Sequence, residues 1–520
     1  MHIKLISLIA AAIVAAALFS ACAADANAAK QEPGSSVAAG DSSSSSSAPA
    51  ATPNVFRIPY DSQDSLNPYL STTTLNSVLS SLVYDSLVKL DKDFIPVMSL
   101  ASDIQIEGTV CTVTMKSGIR FSDGSDVTAT DVKYSFDRMK EQGGAYAKRF
   151  ANVAGYTIKS PTVLEINLSE PDHLFINLLD FPVIKSGTFK DTYPIGCGRY
   201  VFGASNDAGE ITLSVNEYWH GSPVKTLKTL LLTPFNYGDS LINSLKMGKI
   251  NFAFSDLSQA QSSTNMGSNP VQISLTNMVY LGINNTRGVT QTASFRKAIS
   301  LAINREGLAS EAFFSRAVPS AVPFNPSMYV TKELPNRVQA DTEGANSILD
   351  TLGYTVRDDE GYRKNGNDRL TVNLLVNTEN LYRTETAARI QQALKDVGIE
   401  CTINEQNFER YTSLVQASDF DLYIGEVKLY ANNDLSEFLK SEGALTYGGT
   451  ANTDLYAAYT ALRAGQTDYA TFCSSFEEQS PFIPLVFRTG ISGFTRTMSY
   501  NVKSSISDIF FNIEDWNYAS

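Results

Sequence analysis

The chain has 520 residues, about three or four domain lengths at roughly 150 residues each. Hydrophobic residues make up 43% of it against 18% charged and 10% aromatic, so core material is ample and any disorder is local. Forty-one Lys and Arg against 54 Asp and Glu leave a net charge of −13, and a surface of that sign repels nucleic-acid phosphates; nucleic acid is not an expected partner. Three histidines, His2, His173 and His220, stand far apart in the sequence, which argues against an imidazole-built metal centre, and no cofactor is expected.

The N-terminus reads as an address. Lys4 precedes an apolar run from Leu8 to Phe19, followed by Ser20-Ala21-Cys22. That run is shorter than the roughly 20 residues a bilayer span needs, and no charged cluster follows it, so residues 1–21 are expected to be a cleaved signal peptide. Small residues ahead of Cys22 resemble a bacterial lipobox, with Phe19 where that pattern prefers Leu, which implies lipidation at Cys22. Residues 22–53 carry Gln31-Glu32-Pro33-Gly34 and the run Ser42 to Ser47. Such composition cannot bury a core and predicts a flexible leash. The expected location is the outer face of a bacterial cell membrane, lipid-anchored.

From Asn54 the elements alternate. Val55 to Tyr60 has strand composition, and a turn-rich stretch, Asp61 to Pro68, follows. Leu75, Val78, Leu79, Leu82, Val83 and Leu87 recur at helical spacing and predict a helix over 75–87. Cys111 to Met115 alternates like a half-exposed strand, Phe121 to Ser125 is a turn, and Thr128 with Asp131 three residues later forms a capping-box signal for a helix. Leu370 to Val376, a polar loop at 377–383, a helix through Ala387, Ile390, Leu394 and Val397, and Ile399 to Ile403 predict a βαβ unit. Loops at the carboxyl ends of such strands bind ligands in α/β proteins, which singles out 377–383 and the loop after Leu422-Tyr423-Ile424.

Enzyme signatures fail on inspection. Gly196-Cys197-Gly198 lacks the third glycine of a dinucleotide loop, and Phe494 stands where a nucleophile elbow at Gly490 would close. Acidic neighbours such as Asp358-Asp359 point apart and read as solvated surface. Cys111, Cys197, Cys401 and Cys473 form no Cys-x-x-Cys pair and read as small buried hydrophobes, with their disulfide state left open.

Residues 66–138 bring a resemblance. Leu66-Asn67-Pro68, Tyr84-Asp85-Ser86-Leu87-Val88 and the block from Lys116 to Val132 with Ser135 and Arg138 resemble the extracellular solute-binding proteins of family 5, the peptide- and nickel-type receptors of ABC importers. Pro194 to Tyr200, Asn216 to Trp219, Met247 to Asn251, Phe295 to Ile299, Ala302 to Arg305, Leu352-Gly353-Tyr354 and Pro481 to Leu485 continue it in family order. Tyr218 and Trp219 are expected as core anchors.

The resemblance implies an α/β, two-lobed, periplasmic-binding-protein-like fold with an extra subdomain inserted in lobe one and a ligand cleft between the lobes. By analogy, lobe one is expected at 54–285 with the inserted subdomain at about 96–190, lobe two at 286–489, and a C-terminal return to lobe one at 490–520. It further implies a non-enzymatic monomer that delivers a small solute, most readily a peptide, to ABC transporter permease subunits. The competing reading is a cell-surface hydrolase of peptides or glycans.

In peptide receptors of this family an Asp near a Gly-Trp pair holds the peptide amine. Here the matching stretch runs from Asp421 to Phe438; Glu426 replaces the Trp and Ala431 falls where the Asp should stand. The expected ligand-facing residues are Glu426, Lys428, Tyr430, Asn432, Asn433 and Asp434 in that stretch. Arg383 is added as a carboxylate fork, with Tyr60, Asn67, Tyr280 and Asn284 near the ends of the first strand and the crossover.

Overall fold

A computed structural model describes residues 55–142, 148–235, 240–257, 266, 270–495 and 502–517. The expectations for the signal peptide, Cys22 and the leash lie outside the described residues. No described helix is long and apolar enough to cross a membrane.

The first lobe is built on a four-stranded sheet in the order Phe56–Asp61, Thr229–Phe235, Ile211–Val215, Tyr200–Ser205, with the first pair parallel and the others antiparallel. A second sheet, antiparallel in the order Ala101–Glu107, Val110–Met115, Val163–Leu168, Val153–Ser160, occupies the region expected to be inserted. In Val110–Met115 alternate residues Cys111, Val113 and Met115 are buried, since strand side chains point to opposite faces in turn. They meet Val132, Phe136 and Met139 of the helix Ala129–Gln142. That helix starts as its sequence predicts, with one change in donor: Asp131 accepts both the Thr128 backbone N–H and the Thr128 hydroxyl, each at 2.9 Å.

A seven-stranded sheet reaches from the first lobe's edge strand Phe252–Ser255 into the second lobe, its main path running Phe252–Ser255, Phe482–Phe494, Val271–Ile283, Leu422–Lys428, Thr371–Asn377, Glu400–Gln406, with Ala317–Pro319 paired to Phe482–Phe494. The expected βαβ unit is present: Thr371–Asn377 and Glu400–Gln406 pair in parallel, joined by the helix Leu381–Asp396. Successive residues of Val271–Ile283 serve opposite faces. Val279, Leu281 and Ile283 join the cluster under that helix, whereas Met278 and Tyr280 join an aromatic cluster with Tyr459, Phe472 and Phe476. Because both faces are covered, Phe482–Phe494 is buried at every position, as a doubly covered strand must be.

Two 13-residue strands, Val271–Ile283 and Phe482–Phe494, connect the lobes. Ile273, Leu275 and Phe494 belong to the first lobe's core, while Met278 to Ile283 and Phe482 to Phe487 belong to the second. Between Ser274 and Met278 the ladder slips register, so an irregularity of the kind that bends strands lies where the cores change hands. The boundaries expected at 285/286 and 489/490 fall at the far end of the first strand and inside the second.

Two local expectations change. The single helix expected over 75–87 is instead two four-residue helices, Thr74–Ser77 and Ser80–Val83, followed by a strand, Val88–Leu90. The hydroxyls of Ser77, Ser80 and Ser81 donate to the carbonyls of Thr74, Ser77 and Val78, competing with helix propagation. Tyr218 is 39% exposed under the Arg120 guanidinium. Trp219 lies within 5.3 Å of Lys89 and 5.4 Å of Arg199, so it is a cation-π lid rather than a core ring. Gly196 and Gly198 are required by close approach: a Cβ would stand 2.2 Å and 2.7 Å from the Val83 carbonyl oxygen.

The last residues are stitched back into lobe one. Arg199 donates to Glu514 at 2.6 Å, to Asp508 at 2.9 Å and to the Phe511 carbonyl at 2.8 Å. Trp516 is buried among Phe56, Phe252, Phe494 and Phe510.

Candidate ligand-binding site

A crevice of about 250 Å³ opens between the lobes. From the first lobe it is lined by residues that include Tyr84, Asp85, Lys89, Arg149, Asp180 and Asp508, with Asp256 beside them. From the crossover and second lobe it receives Leu275, Asn277 and Lys428.

Most of its charges are already balanced. Asp85 is fully buried and accepts from the Ser99 hydroxyl at 2.7 Å and from the His220 ring at 2.7 Å, with Lys89 at 3.3 Å. Burial works to raise its pKa, but Lys89 and His220 overcome that and hold it far below the carboxylate range. Asp508 pairs with Arg199 and Lys89, and Arg149 pairs with Asp180.

Above them the strand Leu422–Lys428 presents Glu426 and then, two residues on and so on the same face, Lys428. Glu426 accepts from Arg488 at 3.0 Å and from Asn277 at 3.0 Å, with Arg383 at 3.7 Å. Burial again pushes its pKa up, and the two guanidiniums outweigh it, leaving Glu426 below its ordinary value. Arg383 sits in the first turn of the helix Leu381–Asp396, whose N-cap Asn380 accepts the Tyr382 N–H at 3.0 Å. Arg488 also donates to the Leu257 carbonyl and lies over the Tyr382 ring. The Lys428 ammonium has no hydrogen-bond or ion-pair partner among the described residues. It is accessible inside the crevice, yet the protein around it lowers its pKa through burial and the field of Arg149, against the pull of Asp256.

The loop after this strand joins the lobes. Asn432 donates to Asp172 at 2.7 Å, Arg463 donates to the same oxygen at 2.7 Å, and Asn177 donates to the Ala431 carbonyl at 3.0 Å. Tyr430 packs against the first lobe's core, and burial raises its pKa to about 12. Asn433 is buried with φ 57°, a left-handed conformation that Asn tolerates better than most residues. Asp434 accepts the Ser436 N–H at 2.9 Å and lies 3.9 Å from Arg463.

Thus, of the nominated residues, the structure sets Lys428 in the crevice lining, Glu426 and Arg383 behind it where Glu426 meets the lining residue Asn277, and 430–434 at the lobe contact. It places four nominated residues elsewhere, because their polar atoms are spent on their own lobes. The Tyr60 hydroxyl donates to the Gly209 carbonyl, Asn67 clasps Phe189 and Tyr69, Asn284 clasps Ser418, Phe420 and Thr286, and Tyr280 shares its hydroxyl with Tyr423. None of the four lines the crevice. Sequence reading missed Asn277, Arg488, Arg149 and the Asp172–Arg463 pair. Arg488 had a signal: it interrupts the apolar run from Pro481 to Phe487, and a buried charge needs a partner.

A two-lobed α/β body with paired crossover strands and a crevice between the lobes defines the class of bivalve solute-binding proteins. The chain belongs to the bacterial extracellular solute-binding proteins, family 5, whose model matches residues 94–441. It is 26% identical over 308 residues to a glutathione-binding protein from Salmonella paratyphi A, a match covering 56% of this chain and 59% of that relative's length. Its fold is similar to that of an ABC transporter substrate-binding protein from Sinorhizobium meliloti, with a TM-score of 0.72 and 18% identity over 90% of this chain and 100% of that one. It is also similar to the oligopeptide-binding protein AppA from Bacillus subtilis in complex with a nonapeptide, with a TM-score of 0.59 and 19% identity over 90% and 99%.

Proposed function

We propose that the chain is a lipid-anchored receptor that captures a small solute between its lobes and hands it to an ABC transporter permease. Lobe one takes the residues from 54 to the crossover, including the inserted subdomain, and the C-terminal return; lobe two takes the residues between the two crossover strands. The observation that carries this reading is the crevice lined from both lobes at the point where two strands cross and slip register. Ligand contacts made by both walls exist only when the lobes are together, so binding shifts the open–closed equilibrium by its differential affinity for the closed form. No bond is broken. The glutathione-binding relative and the peptide-bound neighbour support a peptide or peptide-like cargo.

Calorimetry and thermal shift of the full chain with peptides, sugars and metal chelates test the capture. The expected result is saturable binding accompanied by a smaller radius of gyration; no binding by protein stripped of cargo refutes it. Anchoring is tested by fractionating cells: wild type is expected with the membranes, and Cys22→Ala in the soluble fraction.

A further inference from the structure

Asp85, Asp180 and Asp508 in the crevice and Glu426 behind it are matched on their own lobes: Asp85 and Asp508 by Lys89, His220 and Arg199, Asp180 by Arg149, and Glu426 by two arginines. One cation stands outside these pairings. The Lys428 ammonium is held at the end of a central strand of the second lobe, faces the crevice and has no hydrogen-bond or ion-pair partner among the described residues. Asp256 favours its charged form and Arg149 opposes it; Asp256 itself accepts from the Thr74 hydroxyl at 3.4 Å. The ammonium is exposed within the crevice and its three donors are uncommitted among the described residues, so an anion brought between the lobes meets it directly and gains a charge-assisted hydrogen bond.

The crevice also limits size. About 250 Å³ lies just under the roughly 300–1,000 Å³ usual for small-molecule pockets, which suits a solute of di- or tripeptide length. Glu426, with its oxygens committed to Arg488, Asn277 and Arg383, is not available to a peptide amine.

We infer that Lys428 is the anion clamp of the cargo site, and that the crevice takes a small solute bringing a carboxylate or an equivalent anionic group to this ammonium. The inference rests on the capture reading above and adds the charge and size of the cargo. The carboxylate comes from either a peptide C-terminus or an acidic side chain; the chemistry at Lys428 is the same.

The test offers the full chain three random libraries of di- and tripeptides, read by native mass spectrometry with affinities measured by calorimetry. One has free C-terminal carboxylates and no Asp or Glu, one is the same set C-terminally amidated, and one is amidated but contains Asp and Glu. Wild type is expected to retain acids from the first or third library at least about tenfold more tightly than the neutral amides. Lys428→Met is expected to weaken acid binding by about 10- to 100-fold and amide binding less than twofold, while Lys428→Arg stays within about threefold. A preference in the first library assigns the carboxylate to the C-terminus and one in the third to a side chain. Equal binding of acids and amides, or equal loss of both in Lys428→Met, overturns the clamp and leaves capture standing. Retention of none of the libraries by wild type overturns both.

Discussion

Glu426→Gln tests the electrostatics of the cleft wall with one atom exchanged. In the folded chain Glu426 faces Arg488 at 3.0 Å and Arg383 at 3.7 Å; at an effective dielectric of about 20 each pair is worth about 5 kcal/mol by Coulomb's law. Desolvating three charges, at several kcal/mol each, returns most of that, so the triad as a whole contributes little. Removing only the negative member is different, because both guanidiniums stay and Arg488 is 3% exposed. The expected loss is about 3–5 kcal/mol, or at least about 6 °C in the melting of a lobe of roughly 200 residues. The acid limb gives a second readout. Glu426 has a lowered pKa, so its contribution is complete above the unfolded carboxylate value and fades as pH falls through the folded one. Wild type and variant must therefore converge in acid. Urea unfolding of wild type, Glu426→Gln, Arg488→Met and the double variant supplies the cycle, with a coupling of at least about 2 kcal/mol expected. Additive losses, or a single-variant loss under about 0.5 kcal/mol, would refute the reasoning.

Gly198→Ala forces a Cβ to 2.5 Å from the Val83 carbonyl carbon and should lower stability by about 1–3 kcal/mol. Gly155→Ala, which meets nothing within 4 Å, should leave the melting curve within about 1 °C. Asp172→Ala strips Arg463 and Asn432 of their shared oxygen across the lobe contact. Small-angle scattering should then show a larger unliganded radius of gyration, and an unchanged curve counts against the latch. The thiols of Cys111, Cys401 and Cys473 are free and pushed by burial up to about 12, and Cys197 is also raised. At pH 8 the buried Cys111, Cys197 and Cys401 should ignore a thiol reagent until urea unfolds the chain, while the half-buried Cys473 reacts first, and reaction of the three within seconds in the folded protein would contradict their burial.

How far the sequence could be read depended on how local the cause was. The βαβ unit at 370–406 was legible because a period of two, a period of 3.6 and a polar loop follow one another within one stretch. The stripe over 75–87 gave helix correctly at Thr74–Ser77 and Ser80–Val83 but not the break between them, because its serines bond their own backbone and hydrophobic periodicity does not register that competition. In the site, Arg383 was accessible to sequence reading because it follows the carboxyl end of Thr371–Asn377, whereas Glu426 and Lys428, expected in a loop after Ile424, lie at the end of the strand Leu422–Lys428 itself. The partners were not accessible: Asn277 lies 149 residues from Glu426, Arg488 lies 62 residues away, and Asp172 meets Arg463 across 291. Asn284, Asn67 and Tyr60 looked like ligand residues by position, but backbone carbonyls more than a hundred residues away take up their donors, which no local pattern signals.

The place of Trp516 has a consequence for how this chain is made. A ribosome releases the polypeptide from its first residue onward, at about 5–20 residues per second, so Phe56 and Phe252 emerge long before the rings that cover them, Phe494, Phe510 and Trp516. The half synthesised first is therefore the half finished last. A product cut short by even a dozen residues loses the tryptophan together with Glu514, one of the carboxylates that secure Arg199, and exposes an apolar surface that chaperones and proteases recognise.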